Sequence, residues 1–247
     1  MKGTRPLDND EIRRVSACFD GTFEARNRGL FMIGVSTGGR ISELLSLRVG
    51  DAYQNGRPVT DLLYSKSIVK GGEVSRAVPV NRDGRQAIDD LISWHIDYYG
   101  MMEADRPLFP SRNGQGLKPL SRRNAHDVLK MVFEAAGLNG HLATHSLRKS
   151  FAQRLYDRTG DIFAVQEMLG HKSVTTTQKY LGVNYANIKE AVEEMAVASE
   201  LHMSGLLGGA IKKEKDETLF LELALRGYDL SRLQEHTEET AEIVKIG

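Results

Sequence analysis

Hydrophobic spacing constrains this chain most. Apolar residues recur every three to four positions along most of it, and the texture changes only between Val59 and Val80. A 3.6-residue recurrence puts apolar side chains on one helix face, whereas short β-branched and aromatic runs bounded by turn residues make strands. The spacing predicts a first helix over 8–19, with Asp8 as cap, Glu11 at the capping-box position, and Ile12, Val15 and Phe19 along one face. A second spans 23–35 and is largely apolar on one side. Thr37-Gly38-Gly39 interrupts it, and helical periodicity resumes over 40–47. Leu62-Leu63-Tyr64, Ser67-Ile68-Val69 and Ala77-Val78-Pro79-Val80 read as strands, with Gly71-Gly72 as a turn. Further helices are expected over 83–99, 121–136, 144–157, 162–169 and 174–180, and 107–119 reads as loop. The fold class is therefore α+β, mainly α-helical, with a small antiparallel β-sheet. Past Gly182, Ile188, Val192 and Met195 share a face of an amphipathic helix. A flexible link over 204–209 leads to two acidic helices, over 216–226 and 230–244. A boundary near Gly205 divides residues 1–204 from a helical extension over 205–247.

Charge first argues against a nucleic-acid partner, because Lys plus Arg and Asp plus Glu both number 33. The average conceals a split. Residues 1–182 carry a net +6 and residues 183–247 a net −6. Cys18 is the single cysteine, which leaves no disulfide framework and points to a reducing compartment. No run approaches the roughly 20 apolar residues of a membrane span. The start, Met1-Lys2-Gly3-Thr4-Arg5-Pro6, lacks a signal peptide's apolar core. A soluble, cytoplasmic protein without membrane contact is expected.

Several polar residues stand where a helical core has no use for them. Arg40 follows a Gly pair at a helix start, where backbone N–H groups and a guanidinium can converge on an anion, and Glu43 is spaced to orient it. His145 and Arg148 project from one helix face. His171 follows Gly170, and nine residues later comes Tyr180. Each has an ordinary reading: a solvated ion pair, a surface pair, a helix cap, a core aromatic with its hydroxyl at the rim. Two Arg, two His and a Tyr do not resemble a metal site. They suit a phosphodiester: Arg offers fixed donors to phosphate oxygens, His moves protons, and Tyr can be a covalent nucleophile.

The segments Ser36-Thr37-Gly38-Gly39-Arg40-Ile41-Ser42-Glu43-Leu44, Thr144-His145-Ser146-Leu147-Arg148-Lys149-Ser150-Phe151-Ala152 and Leu169-Gly170-His171-Lys172-Ser173, with the Thr-rich run ending in Tyr180, resemble in order and spacing the boxes of the tyrosine recombinases, the phage integrase family. The resemblance covers roughly residues 5–200. It implies that Tyr180 attacks a DNA phosphate, forming a 3′-phosphotyrosyl link and freeing a 5′-hydroxyl. It implies that Arg40 and Arg148 hold the non-bridging oxygens, that His145 is the general base and that His171 hydrogen-bonds the phosphate. Lys70 matches the family lysine that protonates the leaving oxygen, with Lys66 the weaker candidate, and Glu43 supports the site. No metal and no cofactor is implied. The partners implied are double-stranded DNA, further copies of the chain in a synaptic tetramer and an accessory protein, at the nucleoid.

Two departures accompany the resemblance. The N-terminal core-binding domain that clamps DNA in typical members is expected to be absent, and the acidic extension over 205–247 is additional. Ile188, Val192 and Met195 suit either docking on a neighbouring subunit or packing on their own domain. The extension is expected to mediate subunit contacts or mask the basic cleft. The leading function is site-specific cutting and rejoining of DNA, with integration or another mobile-element task in view. A type IB topoisomerase-like relaxing enzyme and a catalytically idle DNA-binding regulator are the alternatives.

Overall fold

The computed structural model describes residues 3–64, 75–100 and 103–181, with Lys189, Val192, Glu193 and Met195. The chain divides into two compact units, Met1–Val183 and Asn184–Gly247. In the second, Val192 and Met195 are exposed; Ile188, the third residue of that expected face, and the extension over 205–247 lie outside the described residues.

In the first unit α1 (Asn9–Ala17) starts as expected, with Asp8 Oδ1 accepting from the Glu11 N–H at 2.8 Å and Glu11 Oε2 accepting from the Asp8 N–H at 3.1 Å. α2 (Glu24–Thr37) is the centre of the fold. Leu30 and Ile33 join one apolar cluster while Phe31 and Val35 join another, so the helix is buried on two sides rather than the expected one. A helix clad in apolar residues is stable only when other elements cover it on both sides. α3 (Ile41–Leu44) is shorter than the expected 40–47. The Ser46 hydroxyl donates to the Glu43 carbonyl at 2.6 Å, and this local bond competes with continuation of the helix.

α4 (Val49–Ala52) leads into β1 (Tyr53–Gln54) and β2 (Arg57–Pro58), an antiparallel pair that the periodicity did not indicate. Its turn is Asn55-Gly56, both with positive φ, +52° and +74°. That conformation matches the strand twist, which is why Asn-Gly makes two-residue hairpins. β3 (Asp61–Tyr64) pairs antiparallel with β4 (Arg76–Pro79), Leu62 opposite Val78 and Tyr64 opposite Arg76. The expected strand at 67–69 and the Gly71-Gly72 turn lie outside the described residues.

Four of the remaining helices open on a polar cap: α5 (Arg82–Tyr99) on Asn81, α6 (Arg122–Ala135) on Ser121, α8 (Ile162–Leu169) on Asp161 and α9 (Val174–Tyr180) on Ser173. α7 (Thr144–Thr159) closes on Gly160. The core has two main parts on either side of α2. One gathers Leu44, Leu62, Tyr64, Val78, Ile88 and Leu91, the other Ile12, Val15, Leu129, Phe133 and Leu147. A smaller cluster of Ala152, Val165, Leu169 and Leu181 lies beneath α8 and α9. Where these parts meet, the ends of α2, α7, α8 and α9 come together.

Candidate active site

Gly38 begins the site. It ends α2 with φ +63°, and a Cβ there would run into the Phe151 ring, so both conformation and space require glycine. The tight approach of this turn to α7 brings the Gly38 carbonyl to Arg148, whose Nη1 donates to it at 2.6 Å. Arg148 Nη2 donates to the Leu169 carbonyl at 2.5 Å, where α8 ends before the left-handed Gly170. Both acceptors are neutral and stand at helix C-termini, where the backbone dipole favours a cation. Arg148 is 1% exposed. Burial, then Arg40 and Arg76, lowers its pKa to about 10, so it stays charged at neutral pH. The ordinary reading of Arg148 as half of a surface pair with His145 thus gives way to a buried guanidinium held from behind.

Glu43 is the buried hub. Its side chain accepts from Arg40 Nη1 at 2.8 Å and from the Arg40 N–H at 2.7 Å. Arg76 grips the same carboxylate with both arms, Nη1 at 2.9 Å and Nη2 at 2.6 Å. Burial alone would raise the Glu43 pKa, but the Arg76 hydrogen bonds and charge, joined by the hydrogen bonds from Arg40, outweigh it and hold the carboxyl at about 2. The Arg40 N–H is thus committed to Glu43 rather than free for an anion, while the Arg40 side chain remains one-third exposed. Two guanidiniums share this one carboxylate and Arg148 adds a third nearby, which leaves the site with an excess of positive charge.

Tyr180, the last residue of α9, brings its hydroxyl to 3.4 Å from Nδ1 of the exposed His145. The Arg148 guanidinium and the Lys149 ammonium lie 5.8 and 5.9 Å from its ring centre. Burial, followed by the charges of Arg148, Arg40 and Lys149, pushes the His145 pKa down. His171 is buried behind the tyrosine, its ring 4.9 Å from that of Tyr180 and its Nδ1 3.0 Å from Thr177 Oγ1. Burial, then Arg148 and Arg40, lowers its pKa to about 4. Both imidazoles are thus neutral at pH 7. When Thr177 donates to Nδ1, the His171 proton sits on Nε2.

Arg40, Glu43, His145, Arg148, His171 and Tyr180 accordingly meet, although residues 40 and 180 bound most of the first unit. Lys70 and Lys66 lie outside the described residues. Sequence reasoning missed Arg76 and Thr177. Tyr64 opposite Arg76 in the strand register offered a clue to the former, because inward-facing Tyr64 and Arg76 share a sheet face. Among the described residues no three His, Cys, Asp or Glu side chains are grouped as a metal ion needs.

Residues 5–187 match the Phage integrase family. The chain belongs to the phage integrase family. Among its relatives, tyrosine recombinase XerD of Mycobacterium leprae (strain TN) is 39% identical over 176 residues, covering 69% of this chain and 52% of the relative. Tyrosine recombinase XerC of Xylella fastidiosa (strain 9a5c) is 33% identical over 190 residues, covering 76% of this chain and 60% of the relative. This integrase-family chain therefore spans between half and three-fifths of these relatives' length. Its fold superposes on the crystal structure of XerA recombinase with a TM-score of 0.61, at 23% identity over 78% of this chain and 66% of that one. A crystal structure of XerH site-specific recombinase bound to palindromic difH substrate, a post-cleavage complex, gives 0.60 at 28% identity, over 77% of this chain and 53% of that one. The mainly helical α+β fold with small antiparallel sheets is that of the integrase family. Among the described residues no helix is long and apolar enough to cross a membrane.

Proposed function

We propose that this chain is the strand-exchanging part of a site-specific DNA recombinase, with residues 1–204 as its catalytic domain and 205–247 as an acidic helical extension. One observation carries the reading: the Tyr180 hydroxyl stands 3.4 Å from a neutral imidazole inside a pocket with an excess of guanidinium charge. A contact of that length is typical of a nucleophile and base awaiting substrate. His145 accepts the phenolic proton as the Tyr180 oxygen bonds to phosphorus. The bond from phosphorus to the 5′-oxygen breaks, and that oxygen leaves as a hydroxyl after taking a proton, for which Lys70 is the candidate donor. Arg40 and Arg148 bear the charge gathering on the non-bridging oxygens, and His171 donates from Nε2. Because Arg148 is held by carbonyls rather than a carboxylate, its charge remains available to the phosphate. A second 5′-hydroxyl then attacks the phosphotyrosine and releases Tyr180, so the energy of the broken bond is kept. No residue here calls for a metal or other cofactor.

The partners proposed are double-stranded DNA and further copies of the chain on it, in a synaptic tetramer, with an accessory protein as a further contact. Relatives named as recombinases, and a site-specific recombinase crystallised with a palindromic difH substrate, support this over relaxation of supercoils. The Tyr180–His145 pair supports an active enzyme over an idle regulator. Such an enzyme works in the cytoplasm, at the nucleoid. The test uses a pool of nicked duplexes of randomised sequence, in which cleavage releases a short strand and traps the adduct. Wild-type protein should give a denaturation-resistant adduct whose DNA shares a sequence. Tyr180→Phe should give none while still shifting the captured duplex in a gel; an adduct with that variant overturns the assignment.

A further inference from the structure

We propose that Arg76 is a positioning residue for strand cleavage, tying Arg40 and the turn that carries His171 into one arrangement. The inference rests on the recombinase reading above and adds to it a residue with no contact to the reacting atoms. Arg76 lies on β4, yet its side chain reaches two other parts of the site. Toward α3 it forms a two-armed bond with Glu43, the carboxylate that also holds Arg40. Toward α8 its Nε donates to the Met168 carbonyl at 3.0 Å, three residues before His171. Gly170 leaves room for the arm, since a Cβ there would lie 3.2 Å from Arg76 Cδ. The guanidinium also stacks on the Tyr64 ring at 4.7 Å, and the Tyr64 hydroxyl is 2.7 Å from Thr37 Oγ1, next to Gly38.

Exposure separates its task from that of Arg40. The Arg76 side chain is 9% exposed and Arg40 34%, so Arg40 faces outward while Arg76 stands behind Glu43. A lysine provides charge there but not the planar fork that fixes a carboxylate's orientation. Removing the fork leaves Glu43 with Arg40 alone, free to rotate and easier to protonate. Displacing a phosphate-holding group by about 1 Å is enough to slow chemistry by roughly 100-fold. DNA affinity, spread over many backbone phosphates, responds far less.

The experiment compares wild type, Arg76→Gln, Arg76→Lys, Glu43→Gln and the double variant Glu43→Gln/Arg76→Gln on the captured nicked duplex. Single-turnover adduct formation is followed from pH 5 to 8, with affinity by gel shift. Arg76→Gln is expected to slow capture about 10- to 100-fold and hold affinity within about twofold. It should also add a loss of rate toward acid pH, as Glu43 gains a proton that Arg76 otherwise keeps off. Arg76→Lys should remove that acid loss and recover part of the rate. The double variant should be no slower than the slower single, because the two residues act as one unit. The Glu43 carboxyl, titrated by carbon-13 NMR, should shift upward in Arg76→Gln; this needs no DNA. If Arg76→Gln fails to fold, Arg76→Lys and the double variant carry the comparison. An Arg76→Gln rate within twofold of wild type, an unchanged pH profile, or losses that multiply in the double variant would overturn the proposal. No adduct from wild type would instead overturn the recombinase reading on which it rests.

Discussion

His171 makes stability depend on pH in a definite direction. Its pKa is about 4 in the folded chain against an ordinary 6.5. Between those values the unfolded chain takes a proton that the native pocket rejects. The contribution is therefore complete above about pH 6.5 and is lost as pH falls toward 4, on the order of 3 kcal/mol. Glu43 acts lower on the scale, its folded pKa of about 2 against an ordinary 4.5 taking stability away only below about pH 4.5. Urea midpoints at pH 7.5 and pH 5.5 should differ clearly for wild type and much less for His171→Gln. Equal differences in the two proteins would sink this account of the histidine. At this scale the chain was legible wherever partners are close in sequence: Glu43 was spaced to hold Arg40, and it does so at 2.8 Å. Arg76 was not, because its partner lies 33 positions away and nothing in a strand's alternation says which carboxylate a buried arginine will meet.

The start of α1 was readable, since a cap is chemistry within four residues: Asp8 and Glu11 form the box their spacing called for. Ser121, Asp161 and Ser173 also each accept a backbone N–H where a helix begins, caps that only the structure brought out. Asp8→Ala should cost about 1 kcal/mol in urea unfolding, the usual worth of such a cap, with little change in DNA capture. Gly38→Ala should be worse on both counts. It forces a side chain into the left-handed region and against Phe151, a cost of at least about 2 kcal/mol. The same displacement moves the carbonyl that holds Arg148, so capture should slow by more than the lost stability explains. An alanine variant with a wild-type midpoint and rate would refute the role given to this turn. Two elements were misjudged for local reasons. α3 stops early because Ser46 turns its hydroxyl back on the helix, and the first hairpin hides in Asn55-Gly56, too short for any hydrophobic period to register.

Across the whole chain, the zero net charge is a sum of opposites, and it is a poor argument against nucleic acid because a partner meets only the local field. If the +6 of residues 1–182 lies against phosphates at six to ten contacts, affinity should fall about 10³- to 10⁵-fold between 50 and 200 mM salt. A flat salt response would remove the electrostatic case for DNA. Deleting residues 205–247 should change oligomeric state or tighten DNA binding, as expected of an acidic segment that competes for the same cations; no change in either would count against that role. Composition could suggest this division, but which residues converge was visible only through resemblance and then through packing. The two carbonyls that hold Arg148 belong to residues 110 and 21 positions away in sequence. Neither is beside it until α2 and α8 have both closed on α7. A chain in which α7 has not yet met α2 and α8 therefore holds the Tyr180 hydroxyl without the cradled guanidinium on which the proposed cleavage rests.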